Sequence, residues 1–336
     1  MPDHPARLLL RSRLSRRGLL AGGAGLAAAL PVGAASAQGA DWPKRPVRVI
    51  VGWPPGGTAD LVARLLFADV SKRLGQPFVI ENRAGATGMI GAGAVAAAAP
   101  DGYTVLYGST PLATSILFPQ MTFDPQQDLL PVFRSIRVPQ LMLLHPSVTA
   151  GSVPELIAQL KARREPMEWA SAGSGSVQHL ALELFARQAG VRVNHIPYRG
   201  GAPATNDLIA GVVSGYLGNA DTAIAFVKSG SVRALCHTGS GRLASLPDLP
   251  PLSDTLPGFE TYEWNGVFLP ARTPAPIAET LNRALNEAID DPGVVEKLRS
   301  AELRAEHNSP AEFAGFFNAQ CTRWHAFIRE ANIRLD

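Results

Sequence analysis

Cysteine is almost absent, with Cys236 and Cys321 alone in 336 residues, which excludes a disulfide-stapled scaffold. Seven scattered histidines add no Cys/His cluster with ligand spacing, so no metal site is expected. No long run of like charge appears, and 46% of the residues are hydrophobic, so the chain is neither disordered nor fibrous. No Gly-x-Ser-x-Gly elbow marks a nucleophilic serine. After the first few dozen residues, no apolar run reaches membrane-spanning length.

The formal charge of +3 is also local. Residues 1–37 hold Arg7, Arg11, Arg13, Arg16 and Arg17 against Asp3, and without them 26 basic residues face 27 acidic ones. The remaining chain is near neutral, which removes the charge argument for a nucleic-acid partner. Ser15-Arg16-Arg17 precedes an apolar, Gly- and Ala-rich run from Gly18 to Val32, followed by Ala35-Ser36-Ala37 before Gln38. That order reads as an export signal over residues 1–37. The paired arginines resemble the twin-arginine type, and a general secretory signal is the alternative. Export permits a bridge between Cys236 and Cys321, but spacing cannot show that their Cα atoms approach closely enough.

What is present is α/β patterning. Val47 to Val51 is an apolar run suited to a strand buried on both faces. Leu61, Val62, Leu65, Leu66 and Val70 then recur at helical spacing. Between them lies Gly-Trp-Pro-Pro-Gly-Gly-Thr-Ala-Asp, residues 52–60, a strand-to-helix turn. Two prolines stiffen it, Gly56 and Gly57 leave the backbone amides accessible, and a helix N-terminus favours an anion. An ordinary Gly-rich turn that binds nothing reads equally well.

Strands at Phe78–Ile80 and Tyr103–Tyr107, with an Ala-rich helix ending near Ala99 between them, complete a βαβ series that demands a parallel sheet. Apolar runs follow at 129–136 and 141–144. A capping box at Ser152 opens a second series. Its strands are expected at 168–172, 193–197, 212–217 and 232–236, and its helices at 177–188, 204–210 and 222–228. Val267–Leu269 reads as a further strand, and two or three helices close the chain, the last opened by the capping box Ser309-Pro-Ala-Glu312.

Several motifs occur together and in order: Pro54-Pro55-Gly56-Gly57 with Asp60, Glu81-Asn82-Arg83-x-Gly85, Ala99-Pro100-Asp101-Gly102-Tyr103-Thr104, Tyr198-Arg199-Gly200-Gly201-Ala202-Pro203-Ala204, and Leu246-Pro247-Asp248-x-Pro250. With Trp264-x-Gly266 and Pro270-Ala271-x-Thr273-Pro274, the set resembles the tripartite tricarboxylate transporter receptors, the Bug family of extracytoplasmic solute-binding proteins. The likeness covers essentially everything after residue 41. It implies an α/β, two-lobed periplasmic-binding-protein (Venus flytrap) architecture, each lobe a mainly parallel sheet flanked by helices. Lobe one would comprise residues 41–143 plus 264–336, and lobe two residues 144–263.

The resemblance further implies a small organic carboxylate bound between the lobes of a periplasmic monomer. It would be delivered to membrane transporter subunits or to a sensor-kinase ectodomain, with no cofactor and no nucleic acid. The implied ligand-binding residues are Trp53, Pro55, Gly56, Gly57, Thr58, Asp60, Ser109, Thr110, Ser171, Ser174, Gly175, Ser176, His179, Tyr198 and Asn219. Asp60 can act as a cation partner or as a helix cap. Ser214 and Gly218 stand where many members of the family carry aspartate, so a ligand without an α-ammonium group is expected. The competing reading is an exported serine hydrolase using Ser174 or Ser176 with His179, although no acid is marked as the orienting third group. Gly91-Ala-Gly93-Ala-Val-Ala96 formally matches a dinucleotide fingerprint, but it lies well past its strand and carries no weight.

Overall fold

The computed structural model describes residues 42–335. The export signal expected over residues 1–37 lies outside them. Among the described residues there are nine strands: β1 (Val47–Val51), β2 (Phe78–Asn82), β3 (Thr104–Ser109), β4 (Leu129–Leu144), β5 (Met167–Ser171), β6 (Val193–Pro197), β7 (Gly215–Asn219), β8 (Arg233–His237) and β9 (Tyr262–Pro270). The α-helices are α1 (Thr58–Leu74), α2 (Met89–Ala96), α3 (Pro125–Asp128), α4 (Val153–Ala162), α5 (Val177–Ala189), α6 (Gly201–Ile209), α7 (Ala220–Lys228), α8 (Ala275–Ala288), α9 (Pro292–Ser300) and α10 (Pro310–Glu330).

The strands run β2-β1-β3-β9-β4-β7-β5-β6, with β8 also on β4. The outer strands pair in parallel, β2 with β1 and β1 with β3 at one end, β7 with β5 and β5 with β6 at the other. Between them β9 and β4 run antiparallel, so each half is a mixed sheet. The first part of β4, up to Pro139 against Tyr262, pairs with β9; from Gln140 onward it pairs with β7, and Leu141 to Leu144 also meet β8. One strand therefore serves two sheets. The sequence splits β4 into two runs because Arg137 and Gln140 interrupt the apolar pattern and Pro139 has no N–H for a ladder. β9 is also longer than Val267–Leu269, since Glu263 and Asn265 are polar yet buried.

Helices cover both faces. In the first half α1 packs with α8, while α2 and α10 take the other face, where Trp264, Phe268, Phe313 and Phe317 form an aromatic cluster. In the second half Leu156 and Leu160 of α4 join Phe185 of α5 and Trp169 of β5. Burying such side chains contributes about 1.5–3 kcal/mol each. Of the two capping boxes expected, Ser309 with Glu312 forms completely and opens α10, whereas at α4 the Ser152 hydroxyl accepts from the Glu155 amide but the Glu155 carboxylate reaches back to the Gly151 amide instead of that of Ser152. Cys236 and Cys321 are free thiols buried in different core clusters, so they form no bridge.

Candidate functional site

The turn after β1 is held from behind. The Asn82 amide donates to the Trp53 carbonyl and to Asp60 Oδ1, both at 2.9 Å, and the Gly56 amide donates to Asp60 Oδ2 at 3.0 Å. Arg64 completes the clamp at 2.9 Å from Oδ1. Burial pushes the Asp60 carboxyl up, but the bonds from Arg64, Gly56 and Asn82 together outweigh it and hold the group below the usual range. Asp60 is 3% exposed and fully engaged, so it braces the turn rather than facing a ligand as a cation partner. Gly56 has φ +88°, a conformation open to glycine. Gly57 has ordinary φ, and a Cβ there would meet nothing within 4 Å. Its open side is a cavity.

That cavity encloses about 380 Å³. One wall is Trp53 to Ala59; the facing wall is Arg199 to Pro203, at the start of α6. The floor is made by Tyr216 and Asn219 of β7, Asp221 at the start of α7, and Glu263 and Asn265 of β9. Three helices thus aim their N-termini at one space. The Thr58 and Ala59 amides precede the first helical bond of α1, from Leu61 N to Gly57 O, and have no partner inside the helix. Aligned peptide dipoles place roughly half a positive charge at each such end. Arg199, the cation among the lining residues, is exposed at the rim, so an anion inside is met chiefly by amides.

The two halves touch around this space. Asn219 Nδ2 donates to Thr58 Oγ1 at 3.2 Å and receives Gln178 Nε2 at 2.9 Å on its oxygen. Thr87 Oγ1 donates to the Ser174 carbonyl at 2.8 Å and Thr114 Oγ1 to the Gly175 carbonyl at 2.9 Å.

Trp53, Pro55, Gly56, Gly57, Thr58 and Asn219 therefore line one cavity. The others stand outside its wall. Ser109 receives the Trp53 indole N–H at 2.9 Å, and Thr110 Oγ1 receives the Trp264 amide at 3.1 Å. Ser171 Oγ lies 2.6 Å from His195 Nε2, and Ser174 and Gly175 spend their carbonyls on the two threonines. Ser176 caps α5 by accepting from the His179 amide. His179 Nδ1 accepts from the Gly175 amide at 3.2 Å, and its ring stacks on His195 with centroids 4.0 Å apart. Burial, with the neighbouring His195 second, pulls His179 down to about 3; burial alone pulls His195 to about 4. Neither Ser174 nor Ser176 pairs with the His179 imidazole, so the hydrolase reading finds no support. The Tyr198 hydroxyl donates to Asp207 at 2.7 Å, and that ring packs against the core.

Gly218, at a position where many family members carry aspartate, sits in packed surroundings. A Cβ there would come within 2.7–2.9 Å of the Tyr216 ring and Leu143, so the glycine makes room for Tyr216 rather than for a ligand. Cleft acidity comes instead from Asp221 and Glu263, which sequence reasoning missed. Burial raises Asp221 to about 6 and Glu263 to about 8. The Gly200–Gly201 pair was also missed as a wall. Its signal was legible, since paired glycines after a strand and before a helix repeat the pattern of Gly56–Gly57.

Among the described residues no three His, Cys, Asp or Glu side chains gather to hold a metal, and no described helix is long and apolar enough to cross a membrane.

The family described as tripartite tricarboxylate transporter family receptor matches residues 62–333. BugT of Bordetella pertussis is 37% identical over 298 residues, covering 88% of this chain and 91% of its own. Among solved structures, an R. palustris protein with adipate is 33% identical with TM-score 0.83, covering 87% of this chain and 99% of its own. MatC from Rhodopseudomonas palustris with bound malate is 32% identical with TM-score 0.81, covering 85% and 100%. The two-lobed periplasmic-binding-protein architecture is shared with these structures. This chain belongs to the tripartite tricarboxylate transporter receptor family, also known through its Bug proteins.

Proposed function

We propose that this chain is an extracytoplasmic receptor that closes on a small organic carboxylate and delivers it to the membrane subunits of a tripartite tricarboxylate-type transporter. The observation that carries this reading is the cavity itself, about 380 Å³ walled by the N-termini of α1, α6 and α7. Volumes of about 300–1,000 Å³ suit small organic ligands. Adipate and malate in the two R. palustris structures support the class. The first contacts on the carboxylate are assigned to the Gly57, Thr58 and Ala59 amides, with Trp53 and Pro55 against its carbon chain and Asn219 joining the lobes.

Ligand must touch both walls for closure to be favoured, because only contacts made in the closed form shift the equilibrium. The lobes would turn on β4 and β9 where they pass between sheets, near Pro139 and Tyr262. Working as a monomer in the periplasm after twin-arginine export completes the proposal. Calorimetric titration of the purified chain with malate, adipate and related acids is the test, with small-angle scattering on the same samples. Saturable binding with compaction supports the receptor. An absence of binding to every acid, or release of a chemically altered product, overturns it.

A further inference from the structure

The cavity floor holds more hydrogen-bond acceptors than the protein satisfies. Asn265 is 1% exposed, lines the cavity and has no partner for its Oδ1. Its orientation is fixed by chemistry. Asn265 Nδ2 lies 3.1 Å from the Trp264 carbonyl, which can only accept, so turning the amide over would set oxygen against oxygen there; Nδ2 also lies 3.4 Å from Glu263 Oε1. Beside it, Asp221 Oδ1 is shielded and equally without a partner, while the rest of that carboxyl is bonded by Thr58 and the α7 amides. Glu263 completes the group, held by Thr110 and Asn265. A buried acceptor without a donor is costly in an otherwise finished interior. No protein donor reaches either oxygen, and both residues line the cavity.

We infer that Asp221, Glu263 and Asn265 form a second subsite that reads a hydrogen-bond-donating substituent, a hydroxyl or an ammonium, on the carboxylate ligand. This rests on the receptor reading above and adds a division of labour to it. Helix N-termini on the walls take the anionic end, and the floor takes the donor. A ligand with carboxylate alone leaves the floor unsatisfied and sets its own charge against the Asp221 carboxylate.

Succinate, malate and aspartate share a four-carbon diacid frame and differ in carrying no donor, a hydroxyl or an ammonium. Calorimetric titration of the full exported chain should find at least one of the latter two bound tenfold or more tighter than succinate. Asp221→Asn keeps an acceptor and loses the charge, so it should abolish a preference for the ammonium and largely spare one for the hydroxyl. Asp221→Ala should bring either preference below threefold. Thermal denaturation without ligand confirms that each variant is folded, and Glu263→Gln, isosteric and uncharged, gives a second route if an Asp221 variant is not. Equal affinity for all three acids, or a preference unmoved by Asp221→Ala, overturns the subsite and leaves the receptor intact. Failure of all three acids and of adipate to bind removes the receptor reading, and the subsite with it.

Discussion

Replacing Gly57 by valine separates the binding role of the α1 turn from its structural role. A Cβ at this position meets nothing within 4 Å, so the new side chain projects into the cavity rather than into the core. Its three carbons, at about 30 Å³ for each water-sized group, fill roughly 90 Å³, about a quarter of the 380 Å³ available. Gly57 is also the N-cap of α1 and makes no side-chain cap bond. An apolar residue there costs about 1 kcal/mol, or about 2–4 °C in melting temperature. Losing one amide bond to a carboxylate costs about 1.5–3 kcal/mol, which is roughly 10- to 150-fold in affinity. The two effects differ enough to be read apart by calorimetric titration with malate or adipate beside thermal denaturation of the ligand-free chain. Gly57→Ala, with one carbon, should fall between. A valine variant that binds within threefold of the native chain would refute the placement of the anion on this turn.

Gly218→Asp should behave oppositely, lowering the melting temperature by forcing the Tyr216 ring and Leu143 aside at about 1–3 kcal/mol. An unchanged melting temperature would contradict the packing role. Glu263 is raised from 4.5 to about 8 by burial, so its stabilising protonated form is lost as pH rises through that window. Tyr107, Tyr216 and Asp221 face the same region. Glu263→Gln should therefore flatten the decline in melting temperature between pH 5 and 8, and parallel curves would count against it. His179 and His195 are depressed from 6.5 to about 3 and 4, so stability is lost as pH falls below 6.5, and His195→Gln should soften that acid limb in calorimetry. Lysine at both Arg16 and Arg17 should leave precursor in the cytoplasm, read by fractionation and immunoblotting; normal export would exclude the twin-arginine route.

Much of this was legible because it depends on local pattern. The apolar run of β1, the paired glycines and the spacing of α1 specify a strand, a turn and a helix within about thirty residues. The cavity floor was not legible because it depends on β9 meeting the end of β7 and the start of α7, more than forty positions earlier in the chain. Glu263 looks like an ordinary polar residue beside an apolar run, and only the close approach of Thr110 and Asn265 shows that it is buried. The serines at 171, 174 and 176 misled for a related reason. A Ser/Gly-rich turn can present its polar groups outward, but here Thr87 and Thr114 cross from the other half and occupy its carbonyls. Gly218 shows that a missing side chain near a strand end need not open space, since the neighbouring Tyr216 fills it.

The place of β9 between β3 and β4 sets a timetable for the nascent chain. β3 ends at Ser109, but the strand that pairs with its free edge begins at Tyr262. At about 5–20 residues per second, synthesis leaves that edge uncovered for roughly 8–30 s. An open strand edge is a template for wrong partners. Whatever holds the young chain must shield residues 104–109 until the return strand emerges.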